Sequence, residues 1–157
     1  AAPMFLISGP EMALACCKQG IVGSFPALNQ RTSDGFEEWV IQMNEGLKDF
    51  RETHPDQTAA PYAVNLIVHR TNPRWEADLD LCVKHQVPIV ITSLGAATKV
   101  TEAVHSYGGL VFHDVTNQKH ALFPNDTLRT VVVLTDANSC TKFNAVVKFN
   151  IKIKFAN

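Results

Sequence analysis

Three short runs of the chain are almost wholly apolar: YAVNLIV at residues 62–68, VPIVITS at 87–93 and LVFHDV at 110–115. They do not alternate apolar with polar positions. A strand of this kind is buried on both faces, as strands are in parallel sheets covered by helices. Between the runs lie stretches with helical periodicity, and the units repeat at roughly 20–40 residues. Strand–helix alternation of this sort defines an α/β fold with right-handed crossovers.

The same pattern extends toward the amino terminus. MFLIS at residues 4–8 reads as strand one, and residues 21–25 as strand two. Gly9-Pro10 opens a helix through residues 11–19, with Pro10 where its missing N–H costs nothing, and Gly20 closes it. Ser33 is the expected N-cap of a helix over about residues 34–51. Thr71 or Asn72 caps another, with Pro73 in its first turn, running to about His85. Gly95 turns the chain into a helix over 97–107, and Gly108-Gly109 ends it. Residues 117–122 start a fifth helix. Five units fit an open doubly wound sheet by length; a closed barrel normally has eight and about 250 residues.

The remainder differs in composition. All eight glycines of the 157 residues lie at or before Gly109. Residues 1–124 carry nine Lys+Arg against 13 Asp+Glu, whereas residues 125–157 carry five against two and hold five Asn. TVVVLT at 130–135 is a strand candidate. AVVKFNIKIKF at 145–155 alternates with period two, as half-exposed antiparallel strands do. The chain is therefore expected to divide into residues 1–121 and a divergent, β-rich tail, 122–157, whose strands cap the open sheet edge.

A net charge of -1 argues against general binding to nucleic acid or anionic membranes. The aromatic residues are too scattered to form a stacking platform for nucleic acid. Apolar runs such as 87–94 are too short to span a bilayer. No basic segment followed by an apolar one marks secretion. The start Ala-Ala-Pro-Met suggests a fragment or processed product. Four cysteines without a CxxC spacing, Cys16, Cys17, Cys82 and Cys140, are expected to be reduced thiols in a cytoplasmic protein, not a zinc site. No HExxH, GxSxG, Walker A or GxGxxG motif occurs.

In α/β sheets ligands bind beyond the carboxyl ends of the strands. Small and polar residues gather there in every unit: Ser8 and Gly9; Ser24 and Pro26; Thr92, Ser93 and Gly95; His113, Asp114, Thr116 and Asn117. Turns favour the same residue types for their own reasons. Asn65 is the sharper signal. An amide inside an apolar strand needs hydrogen-bond partners, which a heterocyclic ligand or neighbouring backbone would supply. Of six histidines, His69 and His113 fall near the same strand ends; His113 beside Asp114 has the chemistry of an acid or base, although a structural role is the simpler one.

Three segments carry a resemblance to a known family: PMFLISGPEMALACCKQGIVGSFPALNQRT, NLIVHRTNPRWEADLDLCVKHQVPIVITSLGAA and AVHSYGGLVFHDVTNQKHA. In order, over about residues 2–121, they resemble the amino-terminal half of nitronate monooxygenases, also called 2-nitropropane dioxygenase-like proteins. The resemblance implies part of an FMN-containing (β/α)8 TIM barrel. It implies a small-molecule nitronate and O2 as reactants, or, as in some relatives, an NADH:quinone reductase. It implies FMN contacts from Pro3, Met4 and Phe5, from Asn65, from His113 and Asp114, and more weakly from Ser93.

The family's strand six is followed by a Gly-Gly-His segment bearing its catalytic base, and later Gly-rich loops hold the FMN phosphate. This chain has no glycine after Gly109 and no histidine after His120. Backbone cradles for phosphate need the close approach that glycine permits. No catalytic group is therefore assigned, and the chain alone is expected to bind FMN weakly and to turn over nothing. The Asn-, Lys-, Ile- and Phe-rich tail suggests a frameshift, aberrant splice or truncation near residue 122. The alternative is a non-catalytic half-barrel module that self-associates through its open sheet edge. A flavodoxin-like domain fits the length, but Ser8-Gly9-Pro10 is too short for a phosphate loop.

Overall fold

The computed structural model describes residues 1–93, 98–115 and 130–134, with the last two residues of that middle stretch and all of 130–134 described by backbone alone. Five parallel strands form one sheet: β1 (Gly23–Pro26), β2 (Tyr62–Ile67), β3 (Ile89–Ser93), β4 (Leu110–Val115) and β5 (Thr130–Leu134). Their spatial order is their sequence order. Four α-helices precede or join them: α1 (Pro10–Lys18), α2 (Ser33–Thr53), α3 (Trp75–Lys84) and α4 (Thr98–Ser106).

Each helix has a local cause. Pro10 stands at the first position of α1. Beyond its end, Gly20 takes φ +75°; its N–H donates to Cys17 O and that of Ile21 to Cys16 O. That left-handed closure is available to glycine without Cβ strain. α2 presents Phe36, Val40, Met43, Leu47 and Phe50 to the core, one apolar stripe at helical spacing. Its cap is Thr32, whose Oγ1 accepts from Gly35 N at 3.1 Å, one residue before the expected Ser33. Ser33 Oγ instead donates to Asp78 Oδ1 at 2.7 Å. Helix α3 starts at Trp75, after the expected cap, because Asn72 is engaged in the preceding turn: its Oδ1 accepts from Arg74 N and its Nδ2 donates to Ile67 O.

The helices cover one face of the sheet. There Phe25, Tyr62, Val64, Leu66, Val90 and Val111 pack with Ala13, Cys17, Val40, Met43, Leu79, Val100 and Val104 in a single buried cluster. Fully burying such a side chain contributes about 1.5–3 kcal/mol. Close approach is built in at Gly23, where an added Cβ would lie 2.1 Å from Ala13 O of α1.

Residues 4–8 do not form the expected strand. They make a turn: Ile7 N and Ser8 N both donate to Met4 O, and Leu6 holds φ +60°. Phe5 is 66% exposed and Leu6 76%. The segment is folded back by side chains. Met4 N donates to Ser8 Oγ, Leu6 N to Asn29 Oδ1, and Asn29 Nδ2 reaches the carbonyls of Met4 and Ser8. A four-residue apolar run carries too little periodicity to distinguish a strand from such a turn. The expected second strand also shifts, beginning at Gly23 with Ile21 exposed before it.

The strand expected at 130–135 is β5, parallel to β4, with Val111 opposite Thr130 and Val115 opposite Leu134. The expected turn at Gly95, the helix at 117–122 and the alternating segment at 145–155 lie outside the described residues. No described helix is long and apolar enough to cross a membrane. Cys16, Cys17 and Cys82 are free thiols, the latter two buried, and burial raises the pKa of both.

Candidate functional site

Register decides which side chains share a face, because paired residues of adjacent parallel strands point the same way. Pro26 pairs with Asn65, Asn65 with Ile91, and Ile91 with Phe112. This row lies opposite the helix-covered row of Phe25, Val64, Val90 and Val111. Asn65, Ile67, Ile91, Ser93, Leu110 and Phe112 are all half-buried, whereas the strand residues facing the helices are buried. The sheet therefore has a closed outer face and a partly open inner one.

The inner face is mostly apolar: Ser24, paired with Ala63 on it, is buried and donates to Ala1 O, and the other polar groups lie toward the strand carboxyl ends. There the Asn65 amide nitrogen donates to Ile91 O and to Ser93 Oγ, both at 3.1 Å. Asn65 and Ser93, two expected site residues, are thus brought together. The turn bearing Pro3, Met4 and Phe5 is tied by Asn29 to the short 3-10 helix Ala27–Asn29 that leaves the carboxyl end of β1. It stands at the same end of the sheet.

His113 is not with them. It pairs in register with Thr92 on the helix-covered face, is buried, and has Nδ1 2.6 Å from Thr92 Oγ1. The spacing rule explains this: residues one apart in a strand point to opposite faces, so Ser93 and Thr92 cannot share one. Asp114 occupies a β4 backbone position opposite Val133. His69, just past β2, forms a 2.9 Å contact from Nδ1 to Thr71 Oγ1. Ser24 and Pro26 lie within β1, not beyond it.

A buried ionic group that sequence reasoning missed stiffens the loops at this end. Arg74 Nη2 meets Asp78 Oδ2 at 3.0 Å, and Asp78 is fully buried. The same guanidinium donates to Gln30 O at 2.8 Å and to Ala27 O at 3.2 Å, and Ser33 Oγ donates to the other carboxylate oxygen, Asp78 Oδ1. It joins the loop after β1 to the loop after β2. The i, i+4 Arg–Asp spacing was the available signal, but burial is what gives the pair its weight.

A sequential parallel sheet with helices outside, an apolar inner face and polar groups at its strand carboxyl ends is part of a (β/α)8 barrel. Solved structures share the arrangement. FabK from Thermotoga maritima is similar with a TM-score of 0.62 and 20% identity over 76% of this chain and 34% of that one. A point mutant of the same protein gives a TM-score of 0.61 and 20% identity over 76% of this chain and 36% of that one. The chain spans about a third of the length of these structures. No protein-family model matches it, and no curated protein does.

Proposed function

We propose that this chain is the flavin-ring-binding, amino-terminal portion of a (β/α)8-barrel oxidoreductase of the nitronate-oxidising kind. The observation that carries the reading is the Asn65 amide, fixed by Ile91 O and Ser93 Oγ on a half-open apolar face. The resemblance of residues 2–121 to nitronate monooxygenases and the barrel fold support it.

The donor set suits an isoalloxazine. Asn65 and Ser93 would meet the polar edge of the ring, and Ile67, Ile91 and Phe112 would pack on its apolar body and exclude water. The backbone of Pro3, Met4 and Phe5 would contact its near side. Bound FMN would supply two-electron redox chemistry with O2 as oxidant. These side chains bind and orient; none is assigned as an acid or base. Thr92 and His113 hold the outer face.

Because the ring and not the phosphate meets these residues, riboflavin and FMN are expected to bind alike. Titrating the purified chain while following flavin fluorescence tests this. The expected result is saturable quenching, a Kd between about 1 μM and about 1 mM, and FMN and riboflavin affinities within about threefold, with no nitronate turnover by the chain alone. An absence of saturable quenching by either flavin contradicts the proposal.

A second reading, self-association, is favoured by a specific observation. Among the described residues β1 is an edge strand of the sheet, exposed Ile21 precedes it, and the exposed turn of Phe5, Leu6 and Ile7 is tied to the 3-10 helix that follows it. An edge with apolar neighbours is a template for pairing with a second copy.

A further inference from the structure

His69 stands at the same strand ends but takes no part in the proposed flavin-ring contacts. Val68 N donates to Ser93 O at 2.9 Å, so the ladder between β2 and β3 runs one residue beyond β2. Residues two apart along a strand share a face. His69 therefore follows Asn65 and Ile67 onto the inner face and is half-buried at its rim. The loop that carries it is closed on itself. Buried Asn72 donates from its backbone N to His69 O at 2.8 Å and from Nδ2 to Ile67 O at 3.0 Å. The partners of the ring place its hydrogen. Thr71 N donates to His69 Nδ1 at 3.3 Å, and Thr71 Oγ1 lies 2.9 Å from the same nitrogen. A ring nitrogen that accepts from a backbone N–H carries no hydrogen, so the neutral imidazole holds its hydrogen on Nε2. Among the described residues none accepts that hydrogen.

We infer that His69 Nε2–H binds an anionic oxygen of the reactant that meets the flavin, an oxygen of the nitronate group. This rests on the flavin reading above and adds the reactant's side of the site. A nitronate spreads one negative charge over two oxygens. The parent nitroalkane carries the same two oxygens without net charge. A hydrogen bond to an ionised acceptor is about twice as strong as one between neutral groups. A donor fixed in place before the ligand arrives costs no reorganisation when it is used. His69 thereby favours the nitronate over the nitroalkane of the same carbon skeleton. Thr71 is a positioning residue, because its N–H and hydroxyl occupy Nδ1 and keep the ring hydrogen on Nε2, outward.

Long-range proton–nitrogen NMR of the full chain, labelled with 15N in histidine and loaded with riboflavin, tests the assignment. Propane 2-nitronate and 2-nitropropane are titrated in separately under argon, so that no O2 is present to consume the nitronate. The spectra before titration are expected to show the His69 hydrogen on Nε2, and the nitronate to shift that nitrogen saturably. The preference of wild type for nitronate over nitroalkane is expected to fall about 5- to 10-fold in His69→Phe, the difference between a charge-assisted and a neutral hydrogen bond. It is expected to return in His69→Gln, which keeps an N–H. A His69 hydrogen on Nδ1 overturns the inference. So does a His69 signal that the nitronate leaves unmoved, or a preference unchanged in His69→Phe, and these results leave flavin binding itself intact. Failure of riboflavin to bind overturns the flavin reading and this inference together. The wild-type spectra need no variant to fold.

Discussion

The surface residue Glu37 shows how a single carboxylate ties two helices. On α2, it accepts from Lys84 Nζ at 2.7 Å and lies 2.6 Å from His85 Nε2, at the end of α3. The Lys84 hydrogen bond first, and the His85 contact second, hold its pKa below the ordinary 4.5 of a glutamate. A carboxyl whose folded-state pKa is lowered contributes stability that is full above the unfolded value and is lost as pH falls through the folded one. The melting temperature of wild type should therefore exceed that of Glu37→Gln at pH 7, and the gap should close as pH falls below about 4.5. Thermal melts of both proteins from pH 7 to pH 3 check this; a gap that widens in acid would contradict the assignment. At the candidate site, Asn65 was legible in sequence because an amide interrupts an apolar run. Its partner Ser93 was legible only as a turn-type residue. That His113 faces the other way follows from strand register, which sequence leaves open until pairing is known.

At the scale of elements, contact between α1 and the sheet depends on missing side chains. An added Cβ at Gly23 meets the carbonyl and Cα of Ala13, rigid backbone, whereas at Gly46 it meets Leu14 Cδ2 at 2.6 Å, the far end of a flexible side chain. Gly23→Ala should thus cost about 3 kcal/mol or more. Gly46→Ala should stay within about 1 kcal/mol of wild type, because a mid-helix Gly-to-Ala change gains up to about 1 kcal/mol that offsets the displaced leucine. Urea denaturation of both variants reads the difference, and equal losses would mean that α1 does not sit on β1 as described. The long elements were readable: the core strands from their unbroken apolar runs, α2 from its stripe of Phe36, Val40, Met43, Leu47 and Phe50. Their ends were not. Thr32 displaced Ser33 as cap because Ser33 is drawn to Asp78, a residue 45 positions away. Residues 4–8 form a turn and not the expected strand for a similar reason: the groups that fold the turn include Asn29, which is distant in sequence.

For the whole molecule, the proposed flavin-ring site lies on the inner face of a partial barrel. The edge strand β1 bears on assembly: if a second copy pairs there, light scattering should give a mass that rises with protein concentration toward twice the 17.3 kDa of one chain, and a constant single-chain mass would remove the self-association reading. The class of fold was legible because strand–helix alternation is encoded locally. What makes one face of the sheet a candidate site is the alignment of Pro26, Asn65, Ile91 and Phe112 across four strands, and no local pattern encodes that. The most direct test is to add riboflavin to isotope-labelled protein and map NMR shift changes. The account predicts changes at the Asn65 side-chain amide and at Ile67, Ile91, Ser93 and Phe112, with Glu37 and His85 unmoved. Changes confined to the helix-covered side, or none at saturating flavin, would contradict it.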